Sequence, residues 1–189
     1  MVNYPKGIKK TATVHKNSTS NRGMDLENEI NKTNLYYLDN DIAVVYKKPT
    51  PITIVKVDYP KRSAAKVTEA YFQVPSTTDY NGLYKGQYID FEAKECASKT
   101  SFPLSSIHKH QLEHLKRIIK NGGIAFLIIR FTIYNETYFI KADRFLAFIE
   151  NSTRKSVPYS WFQENGSLIS GTYVKPVDYI EIVKKEFFR

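Results

Sequence analysis

Apolar residues in the first part of the chain recur at helical spacing and then in strand-like runs. Leu26 and Ile30 lie four positions apart, which predicts a first helix after the basic N-terminal residues. The β-branched runs 43–46 and 52–57 predict two strands, because two prolines between them interrupt any helix. The following segment has neither period, and we expect it to project from the body of the protein.

The clearest alternation of polar and apolar positions runs from Gln87 to Lys94. Ile89, Phe91 and Ala93 would share one face, and polar residues would occupy the other. This pattern predicts a half-exposed strand. The dipeptide Asn81-Gly82 shortly before it predicts the tight turn of a hairpin.

The second half of the chain predicts a helix, a pair of strands and a short helix. Ser105 or Ser106 can cap a helix that ends at the glycines 122–123. The apolar run 124–132 predicts a strand that pairs with 137–141, and 143–150 predicts a short helix. An irregular aromatic segment is expected around Trp161.

This order of elements predicts a single α/β domain in which helices flank a mixed β-sheet. Residues 1–20 carry lysines and no acid among polar residues, which predicts a flexible basic N-terminal arm. The domain itself would comprise residues 21–189, including a projecting basic segment at about 58–75.

The net charge of the chain narrows the class of molecule that it can bind. The chain has 189 residues, with 28 Lys and Arg against 19 Asp and Glu, so its formal charge is +9. Such an excess favours a polyanion, either nucleic acid or an acidic membrane surface. The basic segments lack an amphipathic helix with a broad apolar face, so nucleic acid is favoured and no membrane partner is expected.

Two features bear on the compartment. The longest unbroken apolar run, Ile124–Ile129, is six residues long, whereas a membrane span needs about 18 or more. Cys96 is the only cysteine and has no partner within the chain. With no secretory signal at the N-terminus, these features predict a reduced, cytoplasmic protein.

The candidate chemistry begins with Glu92-Ala93-Lys94, the only acid-x-lysine triplet in the chain. On a strand these two charged side chains share one face, about 6–7 Å apart. Asp79 lies 13 residues before Glu92, so a hairpin could bring the two carboxylates together. Isolated triplets of this kind are more often solvated ion pairs.

Paired carboxylates beside a lysine suit phosphodiester hydrolysis. Mg²⁺ is commonly held by one or two carboxylates, with waters and substrate phosphate oxygens completing its coordination. A bound metal lowers the pKa of a water and polarises the phosphoryl oxygen. The Lys94 ammonium would stabilise the negative charge that develops at phosphorus.

Two further polar residues fall on predicted helices. Gln111 interrupts the apolar face of the second helix, and a buried amide needs a hydrogen-bond partner. That partner could be a metal-bound water, a ligand carboxylate or a backbone carbonyl of the sheet. Glu27 lies near the inward edge of the first helix, either as a site residue or as a solvated carboxylate.

Several segments together resemble the RecU Holliday-junction resolvases of Gram-positive bacteria, within the PD-(D/E)xK nuclease superfamily. These segments are 77–82, 89–94, 21–24 with 26–27, 57–60 with 70–72, and 154–162. The resemblance covers nearly the whole chain and implies a restriction-endonuclease-like fold. Thr78 stands where the superfamily has a proline, a departure that RecU-like proteins share.

The resemblance also implies roles for individual residues. It implies Mg²⁺ binding, with Mn²⁺ as a substitute, by four residues: Thr77, Asp79, Glu92 and Gln111. Lys94 would be the transition-state stabiliser, completing a catalytic set with Asp79 and Glu92. The first-helix glutamate of related nucleases falls on Glu27.

For DNA, the resemblance implies that the basic segment is a stalk that enters the centre of a four-way junction. The resemblance places Phe72 at the base of the stalk and Arg22 among the DNA-contacting cations. The cations of the basic segment, among them Lys61, Arg62 and Lys66, suit contacts with backbone phosphates. Paired symmetric nicks require two sites, so the resemblance implies a C2 homodimer. It also implies RecA recombinase as a partner in recombination and repair.

Two other interpretations stay open on the sequence. The chain could be a non-catalytic DNA-binding or strand-annealing protein whose cations only contact phosphates. His110 and His114 share a helical face and could form a zinc site with His108, although surface histidines are the simpler interpretation.

Overall fold

The computed structural model describes residues 24–73 and 77–188. The predicted basic arm (1–20) and Arg22 lie outside these residues. The helices within the described ranges are α1 (Met24–Asp39), α2 (Lys109–Lys120), α3 (Ala142–Glu150), α4 (Tyr159–Asn165) and α5 (Tyr179–Phe187). The strands there are β1 (Val44–Lys47), β2 (Ile52–Asp58), β3 (Lys66–Phe72), β4 (Tyr80–Tyr84), β5 (Gln87–Cys96), β6 (Ser101–Pro103), β7 (Ile124–Phe131), β8 (Glu136–Lys141), β9 (Ser156–Pro158) and β10 (Ser167–Leu168).

Six of the described strands form a mixed sheet in the order β1-β4-β5-β7-β8-β10. The central pair, β5 and β7, is parallel, and the other neighbours are antiparallel. A parallel pair needs a long crossover connection, which α2 supplies between these two strands. The predicted α/β class, with a mixed sheet flanked by helices, is confirmed.

Helices cover both faces of the sheet. On one face, Ile30 of α1 and Val183 of α5 pack against Phe91 and Phe126 of the central strands. On the other face, residues of α2, α3 and α4 form a second apolar cluster with the remaining side chains of β7. Every residue of β7 is therefore buried, and all of them except Arg130 are apolar, as in a strand that is covered on both faces.

The turn of the β4–β5 hairpin differs from the prediction. It lies at Lys85-Gly86, where both residues have positive φ values of 47° and 79°. Asn81-Gly82 instead lies within β4. Strand β1 passes so close to Gly82 that an added Cβ would overlap the Val44 carbonyl oxygen. The glycine therefore serves close packing of two strands and not a turn.

The predicted strand at Gln87–Lys94 exists, but it is not half-exposed. Asp90 and Glu92 are 0% exposed, as are Ile89 and Phe91 on the opposite face. Because helices cover both sides, the polar face of β5 is an interior surface. Alternation along a strand separates its two faces without showing which face meets solvent.

Three other local predictions were wrong or incomplete. The α2 helix is capped at His108, because a short 3₁₀ turn over Leu104–Ser106 occupies the expected serines. The segment around Trp161 is helical and not irregular. The stretch 66–72, for which no period was found, is strand β3.

Strands β2 and β3 pair with each other and form a separate two-stranded sheet. All residues of both strands are exposed. We refer to residues 52–72 as the ribbon. It begins earlier than the projecting segment expected at about 58–75, because 52–58 pair with β3 and not with the main sheet. None of the described helices is long and apolar enough to cross a membrane.

Candidate active site

Asp79, Glu92 and Lys94 lie together at the open end of the β4–β5 hairpin. The register pairs Tyr80 with Phe91, which places Asp79 opposite Glu92. The Asp79 amide N–H donates to Glu92 Oε2 at 3.2 Å. Lys94 Nζ lies 3.3 Å from Asp79 Oδ2 and also contacts Glu92 Oε1. The hairpin thus brings both carboxylates and the amine to one place.

Gln111 joins this cluster from the first turn of α2. Its Nε2 donates to Glu92 Oε1 at 2.7 Å, and its Oε1 accepts from the His108 amide at 2.9 Å. Of the partners considered from sequence, the amide group therefore contacts the carboxylate. The first bond ties the start of α2 to β5, and the second caps the N-terminus of α2.

The environment opposes ionisation of Glu92. Burial raises its pKa to about 7, and Asp79 adds to this effect, whereas Lys94 lowers the pKa. Burial alone would lower the pKa of Lys94, but Glu92 and Asp79 outweigh it and hold that pKa above its ordinary value. Lys94 therefore stays positively charged at neutral pH while Glu92 exchanges its proton there.

Two predicted site residues lie beside the cluster without joining it. The Thr77 hydroxyl donates to the Thr78 carbonyl at 3.4 Å, which is a local hydrogen bond. Glu27 forms an ion pair of 2.5 Å with Lys47 and is 39% exposed. Glu27 is nevertheless close to the site, since it acts on Tyr80, the residue after Asp79. Burial raises the pKa of Tyr80 most, and the Glu27 carboxylate is the next largest cause.

Sequence reasoning missed a second buried carboxylate, Asp90, two residues before Glu92 on the same face of β5. Its Oδ2 lies 2.7 Å from Lys48 Nζ and 3.2 Å from His114 Nε2. The period of two that placed Glu92 and Lys94 on one face also includes Asp90. Its interior location was hidden because that face was expected to meet solvent.

The donor set suits a hard divalent cation. The two carboxylates are oxygen donors, and Mg²⁺ is commonly held by one or two carboxylates plus phosphate and water. Gln111 turns its Nε2 to Glu92, and its oxygen accepts from the His108 amide. Over 24–73 and 77–188, no three His, Cys, Asp or Glu side chains cluster as metal ligands. His108 and His110 stack on each other, with ring centroids 5.3 Å apart, while His114 contacts Asp90. The zinc interpretation therefore has no support in the geometry.

The predicted DNA-contacting residues within the described chain are all on the ribbon and all exposed. They are Lys61, Arg62, Lys66 and Phe72. Phe72, at the end of β3, is 83% exposed.

Comparison with known proteins gives close relatives over the full chain. A Bacillus cytotoxicus protein named Holliday junction resolvase RecU is 51% identical over 197 residues, covering 99% of this chain and 98% of that protein. A protein of the same name from Oceanobacillus iheyensis is 50% identical and covers 99% of this chain and 100% of its own length.

A solved structure gives a more distant match. It is Hjc of Archaeoglobus fulgidus, described as a Holliday junction resolvase from an archaeal hyperthermophile, with a TM-score of 0.43 and 10% identity. The match covers 73% of this chain and 93% of that one. A family model described as Recombination protein U matches residues 21–185. The chain therefore belongs to the Recombination protein U (RecU) family.

Proposed function

We propose that this chain is a Mg²⁺-dependent, structure-selective endonuclease that resolves Holliday junctions by paired symmetric nicks in recombination and repair. The observation that carries the proposal is the convergence of Asp79, Glu92 and Lys94 at one point of the hairpin. Similarity to proteins named Holliday junction resolvase RecU over nearly their full length supports the choice of substrate.

The metal would be held by the carboxylates of the cluster, with further oxygen ligands from Gln111 and from Thr77 beside it. Asp79 and Glu92 would supply carboxylates, with Gln111 and Thr77 completing the protein ligands, and Mn²⁺ would substitute for Mg²⁺. When bound, the ion supplies a water of lowered pKa and polarisation of the scissile phosphate.

Residues of the chain supply the remaining contributions. The positive charge of Lys94 would stabilise the negative charge that develops on the phosphoryl oxygens. The pKa of about 7 means that Glu92 is ready to act as a charged ligand only above neutral pH or beside a cation. The Gln111 contact would hold the Glu92 carboxylate in place during the reaction.

The whole enzyme would be a C2 homodimer, because one site cuts one strand and resolution requires two opposed cuts. Ribbon cations and Phe72 would contact the junction through phosphates and unstacked bases. The reaction would take place in the cytoplasm, with RecA recombinase as a partner.

The decisive experiment incubates the protein with a labelled four-way junction and with linear duplex, with and without Mg²⁺. We expect paired symmetric nicks in the junction only, and only with the metal. Asp79→Asn, Glu92→Gln and Lys94→Met should each lower the rate by about 10²-fold or more. Lys175→Met, which breaks a lysine–aspartate pair elsewhere, should retain activity.

Two results would contradict the proposal. Full cleavage by the Glu92→Gln variant would show that this site does not carry out the reaction. Tight junction binding by the native protein with no nicking in Mg²⁺ or Mn²⁺ would instead favour the non-catalytic DNA-binding or strand-annealing function.

A further inference from the structure

Asp90 is the centre of a second buried polar cluster, next to the catalytic one. Its carboxylate is 0% exposed and lies on the same face of β5 as Glu92. Four side chains contact its oxygens, namely Lys48 at 2.7 Å, Tyr88 at 2.9 Å, His114 at 3.2 Å and the Thr78 hydroxyl. A buried charge with this many partners holds them in fixed positions.

Lys48 connects this cluster to the residues of the catalytic segment. Its ammonium contacts the Thr78 hydroxyl at 2.9 Å as well as Asp90. Its own amide N–H donates to the Asp79 carbonyl at 2.8 Å. One residue thus holds both Thr78 and Asp79. Its side chain is only 18% exposed, so its charge is directed inward although it lies in a basic turn.

The same contacts lie where the ribbon joins the sheet. Lys48 directly follows β1, on the segment that leads to β2, and Thr78 directly precedes Asp79 on the segment that leads to β4. The base of the ribbon is tied by the Gln73 amide, which donates to the Pro51 carbonyl at 2.9 Å. Lys48 therefore lies four residues before the start of the ribbon.

We propose that Lys48, Thr78 and Asp90 form a clamp that positions Asp79 in the active site. This rests on the proposed function in so far as Asp79 is catalytic. The three are positioning residues, since none of them is one of the proposed ligands. Lys48 is thereby assigned to the interior, and not to the phosphate-contacting surface that its neighbours in the sequence suggest.

The sharpest test compares two substitutions of Thr78. Thr78→Val removes only the hydroxyl, whereas Thr78→Ser keeps it. We expect Thr78→Val to lower kcat on the junction about tenfold or more, since small displacements of catalytic groups are costly. Its Kd for the junction without metal should stay within about twofold, and the Mg²⁺ concentration for half-maximal rate should rise. Thr78→Ser should retain a kcat close to that of the native protein.

A second measurement needs neither DNA nor metal. Hydrogen exchange of the amides in 77–82 should be faster in Thr78→Val and Lys48→Met than in the native protein. Lys175→Met is the matched control, because it breaks another half-buried lysine–aspartate pair, and its exchange in 77–82 should not change.

Unchanged exchange in both clamp variants would overturn the inference. A loss of junction binding that accounts for the whole loss of rate would also overturn it, since that result assigns the residues to binding. If the native protein fails to nick junctions, the proposed function fails, while the exchange measurement still decides whether the clamp holds Asp79.

Discussion

Burial of the Glu92 carboxylate determines both its proton affinity and its dependence on neighbours. Only Lys94 favours its charged form among the groups that shift its pKa most, while burial and Asp79 oppose that form. The acid-x-lysine triplet made Glu92 and Lys94 candidates from sequence, and the resemblance to RecU resolvases supplied the context that the triplet alone lacks. The Lys48–Asp90 pair was not predictable, because its partners come from distant parts of the chain.

The raised pKa of Glu92 predicts how stability changes with pH. An acid whose pKa rises on folding from 4.5 to about 7 costs stability as pH rises through that interval. We expect the free energy of unfolding without metal to fall from pH 5 to pH 8 by a few kcal/mol, since each pKa unit is about 1.4 kcal/mol. Lys94 titrates far above this window and does not contribute there. Urea unfolding at both pH values measures the effect.

Glu92→Gln is the control for this dependence, because its amide does not titrate. Its unfolding free energy should be nearly flat between the two pH values, apart from contributions of other groups. Saturating Mg²⁺ should restore the stability of the native protein at pH 8. A native protein that is equally stable at pH 5 and pH 8 without metal would contradict the raised pKa.

At the scale of elements, hydrophobic periodicity predicted helices and strands correctly where one face of the element is apolar, and it predicted them poorly elsewhere. Helix α1 and strands β7 and β8 follow their hydrophobic patterns. Strand β3 showed no pattern, because both of its faces are exposed and neither selects apolar residues. Helix α4 was hidden for another reason, since its seven residues are too few to show a helical period, although Trp161 and Phe162 pack in the aromatic cluster.

The two glycines of the β4–β5 hairpin should differ in their response to alanine. Gly86→Ala meets open space but a φ of +79°, so we expect a loss of about 1–2 kcal/mol. Gly82→Ala would overlap the Val44 carbonyl oxygen and place Cβ 2.7 Å from Val45 Cα. Separation of β1 from β4 should cost about 3 kcal/mol or more. Urea unfolding of both variants decides, and equal losses would contradict the packing role of Gly82.

At the scale of the whole molecule, a charge of +9 favours a polyanionic class of partner but does not show how the charge is presented. The structure places part of it on the ribbon, which stands outside the main sheet. The sequence could not give that arrangement, because pairing of 52–58 with 66–72 depends on a contact across a turn with no strong signal.

Ribbon cations should contribute to the salt dependence of junction binding. Each phosphate contact contributes about −0.9 to the slope of log affinity against log salt on duplex DNA. We therefore expect the triple substitution of Lys61, Arg62 and Lys66 by alanine to reduce the magnitude of the slope by up to about 2.7. Fluorescence titrations from about 50 to 200 mM salt measure it. An unchanged slope would place these cations away from the phosphates.

The exposure of the ribbon also determines how rigidly it can hold its conformation when it contacts DNA. Two strands whose residues are all exposed have no core of their own, and isolated hairpins are marginally stable in water. The conformation of these two strands in the complex would therefore depend on the DNA that they contact. Discrimination among branched DNA structures would then arise because the ribbon becomes ordered when it inserts into the DNA, and not because a rigid ribbon fits one fixed shape.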